Sequence, residues 1–141
     1  MPCSMESMHD RKKELIALRL NQAKETIEDV AFLIHNKRLV IAINRIYYGM
    51  FYALMALAIQ CDFKTSKHAQ LIGWFNKEFI KTGKIEIRYS KIIQSAFSAR
   101  TDCDYGIFKV FTTEETVLMY NEMKDFIYEI EKFLNANLNY T

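Results

Sequence analysis

One proline and four glycines in 141 residues leave this chain few places to turn sharply. A sandwich or barrel of short strands needs turn signals every 8–12 residues or so, so that class is excluded and a few long helices are favoured. The three cysteines, Cys3, Cys61 and Cys103, are odd in number and far apart. They exclude a disulfide framework and suit a reducing compartment, the cytoplasm. Gly49, Gly73, Gly83 and Gly106 are isolated, so there is no glycine-rich phosphate loop, and neither a nucleophile elbow nor an HExxH pair occurs. His9, His35 and His68 are not spaced as ligands on one helix, so no metal and no cofactor is expected. The start, MPCSMESMHDRKK, lacks the apolar stretch of a signal peptide, and nothing argues for export. A net charge of +2 is too small for a dedicated nucleic-acid coat and leaves only a local basic patch possible.

What the chain does have is apolar residues, half of the total. Its length suits one domain, 1–141 with a core over 10–137, able to bury a core of its own. The stretch LVIAINRIYYGMFYALMALAIQ, Leu39–Gln60, is apolar on nearly every side, so a helix there must be wrapped by other helices or by lipid. Asn44 and Arg45 interrupt it and leave Ile46–Ile59 unbroken. An apolar run of about 10–14 residues reads as a buried core helix and not a membrane span.

Around it the periodicity predicts an all-α, up-and-down bundle of about five helices. A first helix over 10–36 carries the seam Ile16, Leu20, Ala23, Ile27, Val30 and Ile34, and Asn36, Lys37 and Arg38 break it before an antiparallel hairpin partner. A third helix spans 67–81 and stops at Gly83, a residue suited to the position just past a helix end. A fourth spans 86–103 with the stripe Tyr89, Ile93, Ala96, Arg100 and Cys103. Next comes a loop, DYGIFKVF (104–111), whose aromatics are expected to cover the bundle end. Thr112 and Glu115 form a capping box that opens a last helix with the seam Met119, Met123, Phe126, Ile130 and Phe133.

Three features stand outside this plan. Arg45, Tyr48, Gly49 and Tyr52 share one arc of the central helix, which reads as close packing at Gly49 or as ligand contact. Arg100 sits where an apolar residue belongs, beside Asp102, Asp104 and Tyr105. It is either an i,i+4 ion pair with Asp104 or a phosphate-holding fork with the Tyr105 hydroxyl close by. Lys77, Lys81, Lys84, Arg88 and Lys91 recur at steps of four and three, as a solvated rib balanced by Glu78 and Glu86 or as contacts to RNA phosphates.

In order, NRIYYGMFYALMALA, SKHAQLIGWFNKEFIKTGKI and FSARTDCDY resemble the successive motifs of the HEPN (higher eukaryotes and prokaryotes nucleotide-binding) family, in its UPF0332-like branch. The resemblance implies a helical bundle that forms a homodimer and is paired with a minimal nucleotidyltransferase as toxin and antitoxin. It further implies that active relatives cleave RNA without metal through an Arg followed, after four to six residues, by His. Arg100 matches the arginine, but Tyr105, Gly106 and Ile107 occupy the histidine positions. An altered RNase centre is therefore expected, with Tyr105 or His68 as substitutes in a working ribonuclease, and a non-catalytic nucleotide-binding helper or scaffold dimer as the remaining reading. His68 matches a family histidine at the start of the third helix. Candidate contacts to RNA or nucleotide are Arg100, Asp104, Arg45, Tyr48 and Lys67, with no membrane involved. In some pairs of this kind the transferase attaches AMP to a tyrosine near the motif. That makes Tyr105 the candidate acceptor, unless its ring simply caps the bundle.

Overall fold

The computed structural model describes residues 5–106 and 110–138. Among the described residues there are five α-helices: α1 (Met5–His35), α2 (Leu39–Gln60), α3 (His68–Phe75), α4 (Ile87–Asp104) and α5 (Thr113–Leu138). Among the described residues there is no strand. Helix α2 packs against all four others, and Ala42, Ile46, Tyr47, Met50, Ala53, Leu54, Ala56 and Leu57 are buried along it. Among the described residues it is the one helix long and apolar enough to cross a membrane, and its burial explains why it is so apolar.

Lys12 of α1 pairs with Asp62 just past α2, while Thr26 of α1 lies against Gly49 of α2, so the two helices run antiparallel as expected. At Gly49 a β-carbon would stand 3.0 Å from Met123 Sδ and 3.2 Å from Thr26 Cγ2. That glycine is where α1 and α5 approach α2 closely. The arc predicted for α2 therefore divides: Gly49 faces the core, whereas Arg45, Tyr48 and Tyr52 are half-buried at its edge.

Two boundaries differ from the sequence reading. Helix α1 begins at Met5, earlier than position 10. The third helix is α-helical only to Phe75 and continues as a π turn over Asn76–Ile80, closed by a Lys81 N–H donating to the Asn76 carbonyl at 2.9 Å. Gly83 then takes φ +75° and reverses the chain, as a glycine beyond a helix end should. The Thr112 hydroxyl accepts from the Glu115 N–H at 3.1 Å, which caps α5. In the loop before it, Phe111 is buried and covers the bundle end, but Tyr105 is 79% exposed and does not. Ile107 and Phe108 lie outside the described residues.

Candidate functional site

Helix α4 buries Tyr89, Ile92, Ile93, Ala96 and Ala99, which turns Arg100 one position off the buried face. Its side chain is 23% exposed, at the rim of the bundle. The guanidinium carbon stands 5.6 Å from the centre of the Tyr47 ring and 5.5 Å from that of Tyr48, and Nη2 donates to the Tyr48 hydroxyl at 3.3 Å. Two π faces and a phenol oxygen thus offset part of the cost of holding a cation there.

Asp104 comes within 2.8 Å of Arg100 Nε, the predicted i,i+4 pair. The contact is an ion pair without an aligned hydrogen bond, because the buried Nε–H finds no hydrogen-bond acceptor. Asp104 is half in solvent, so its hold is screened and an incoming anion can compete with it.

The residue that joins Arg100 is His68, from the first turn of α3. Its ring stacks on Phe51, centroids 4.0 Å apart and planes 9° from parallel, and it packs against the same Tyr47 and Tyr48 rings that flank Arg100. His68 Nδ1 and the Tyr47 hydroxyl are 2.7 Å apart. Tyr47 is fully buried, and burial pushes its phenol well above the usual range, so it keeps its proton. Among the described residues that hydroxyl has only Nδ1 as partner. A buried O–H left undonated is expensive, so the proton points at Nδ1. The neutral imidazole then carries its own hydrogen on Nε2. Burial, and secondarily the Arg100 charge, lower the His68 pKa, so this neutral form prevails at neutral pH. The cluster therefore presents donors: a guanidinium, the Tyr48 hydroxyl and an imidazole N–H. Such a set suits an anionic oxygen, above all a phosphate.

The other sequence candidates fall around it or apart from it. Arg45 lies 5.7 Å from the Tyr48 ring centre, at the outer side of the same aromatic group. Tyr105 follows α4 directly, its ring in solvent. Lys67 is exposed one residue before His68, and its side chain makes no ion pair among the described residues. Lys77, Lys81, Lys84, Arg88 and Lys91 are all exposed, and Arg88 is engaged with Glu86 and Asp125. Among the described residues no group of three His, Cys, Asp or Glu could hold a metal ion. Tyr47, Phe51 and Phe97 were not singled out by sequence. Their apolar setting on α2 and α4 signals core, and only the fold brings His68 to them.

A family model described as the HEPN domain matches residues 16–139. The chain is 35% identical over 127 residues to a UPF0332 protein of Thermotoga maritima, covering 90% of this chain and 91% of that one. It is 32% identical over 126 residues to a Methanocaldococcus jannaschii protein named as a candidate toxin, covering 89% of this chain and 87% of that one. A second candidate toxin of that organism is 29% identical over 123 residues, covering 87% and 83%.

Proposed function

This chain belongs to the HEPN domain family, and from that premise we propose that it is the toxin-side partner of a minimal nucleotidyltransferase, a cytoplasmic homodimer whose working centre binds RNA phosphate at Arg100. The observation that supports the reading is that Tyr47 joins the two residues, its hydroxyl hydrogen-bonded to His68 Nδ1 and its ring against the Arg100 guanidinium. The toxin names of two relatives support the biological context.

With His68 in this tautomer the centre lacks a base poised at Nε2. Binding is therefore favoured over cleavage, in keeping with Tyr105 standing where a catalytic histidine would be. The second reading, a metal-independent ribonuclease, draws on the same His68 and requires the Tyr47 proton to turn away from Nδ1. A fluorescent single-stranded RNA in EDTA separates the two. Binding without cleavage, weakened about ten- to hundredfold by Arg100→Ala as for loss of a charged hydrogen bond, is the expected result. Cleavage abolished by either Arg100→Ala or His68→Ala would establish the second reading, and neither binding nor cleavage would remove RNA from the function.

Tyr105 supplies the point of control in this scheme. Its exposed phenol oxygen would attack the α-phosphorus of ATP in the transferase site, losing its proton as pyrophosphate leaves. The tyrosyl-AMP phosphate would then compete for Arg100 with RNA.

A further inference from the structure

Beside the Arg100 and His68 centre, a cleft of about 180 Å³ opens between α3 and α4, lined by Ala69, Ile72, Gly73, Asn76, Gln94 and Phe97. Two of its lining residues adjoin the centre. Phe97 packs edge-on against Tyr47, centroids 5.6 Å apart, and Ala69 follows His68 directly in α3. Along α4, Phe97 precedes Arg100 by three residues and Gln94 by six, a rise of about 4.5 Å and 9 Å. Those rises are of the order of the separation of a phosphate from its own base.

The lining has the chemistry of a base subsite. Phe97 is half-buried and offers ring surface, which is how single-stranded RNA bases are commonly held. Gly73 leaves its side of the cleft open, since a β-carbon there would meet nothing within 4 Å. Asn76 Oδ1 accepts from the Ser90 hydroxyl at 2.6 Å, which fixes the amide orientation and leaves its NH₂ free to donate. The π turn that begins at Asn76 holds that residue at the cleft. Gln94 is exposed and its amide can turn to match whatever edge is presented.

We propose that this cleft is a nucleobase subsite, with Phe97 as the stacking face, Asn76 as the edge reader and Gln94 as an adaptable second contact, selective for guanine and uracil, which carry a carbonyl where adenine and cytosine carry an amino group. The fixed Asn76 NH₂ donates to O6 of guanine or to O4 of uracil, positions at which adenine and cytosine carry an amino group that meets it with a donor. The subsite rests on the phosphate reading for its role but not for its existence. It is tested with guanosine, uridine, adenosine and cytidine, which carry no phosphate, titrated into the full chain while the Asn76 and Gln94 side-chain amide resonances are followed.

Guanosine or uridine should shift these amides at about tenfold lower concentration than adenosine or cytidine. Gly73→Leu, which fills the cleft from an open helix face, should abolish the response while circular dichroism remains helical. No nucleoside response, equal response to all four, or a response that survives Gly73→Leu overturns the subsite. An abasic oligonucleotide tests the phosphate centre separately. If it binds while nucleosides do not, only the subsite fails, and the converse pattern would sink only the phosphate reading.

Discussion

Replacing Tyr47 by Phe removes one oxygen and keeps the ring that supports Arg100 and Phe97. The lost hydrogen bond to His68 Nδ1 is worth about 1 kcal/mol net, because His68 is half-buried and water can take over part of the vacated role. Unfolding entropy of about 2.1 cal/mol/K per residue, taken over 141 residues, gives about 0.3 kcal/mol/K, so Tm should fall by about 3 °C. The sharper readout is the imidazole. Burial first and then the Arg100 charge lower the His68 pKa; a donor aimed at Nδ1 also favours the neutral ring, so Tyr47→Phe is expected to raise it. The sign for stability follows from the depressed native value. The unfolded ring, at 6.5, takes up a proton before the folded one does, so this contribution is present above 6.5 and is lost as pH falls through the lower native pKa. In Tyr47→Phe the loss of stability below neutral pH should be shallower. NMR titration of the His68 ring protons and melting curves at several pH values test both effects. An unchanged or lower His68 pKa in the variant would show that the Tyr47 proton does not point at Nδ1, and the donor character assigned to the centre would go with it.

Gly49→Leu should cost about 2 kcal/mol, as overpacking of up to ~3 kcal/mol is offset by about 1 kcal/mol of helix propensity; the melt should drop by roughly 7 °C, and an unchanged Tm would mean that Met123 and Thr26 give way freely. Thr112→Ala removes the α5 cap and should cost about 1 kcal/mol by urea denaturation, with no loss expected if the Glu115 N–H is equally served by water. Co-expression with a neighbouring transferase should add the mass of one AMP, lost in Tyr105→Phe, and an adduct that survives the substitution rules Tyr105 out. Light scattering at micromolar concentration should give the mass of a dimer, with a monomer counting directly against that assembly.

The helical plan was legible because each helix carries its own seam, and because Leu39–Gln60 could be satisfied only by neighbours on nearly all sides. Gly49 and Arg100 were legible as misfits: a glycine inside a helix and a charge one step from a buried face both demand a tertiary partner. His68 was a candidate through the resemblance, but what holds it near Arg100 was not legible. His68 and Tyr47 are 21 positions apart on different helices, and nothing in the spacing of either announces a hydrogen bond between them. Tyr105 misled in the other direction. Aromatic residues near a bundle end usually cover it, and here Phe111 does so while Tyr105 stands in water. The π turn was invisible because NKEFI is an ordinary helical string. Within it Phe79 is buried and Asn76 accepts a hydrogen bond from Ser90, contacts that only the folded chain supplies.

That turn has a bearing on how this architecture can vary. Hydrogen bonds closed five residues apart accommodate one residue more than an α-helix would between the same fixed ends. Here those ends are Phe75 and Ile85, both buried, with Lys81 bonded back to Asn76 between them. Removing one residue from 76–80 would let the segment relax to α-helical spacing and leave the flanking core residues in phase. The same deletion in α2 or α4 would rotate every later side chain by a quarter turn or more and carry Arg100 or Tyr47 off the aromatic wall. Natural length variation between related chains should therefore collect at this turn, and it should change the cleft that Asn76 borders before it touches the Arg100 and His68 cluster.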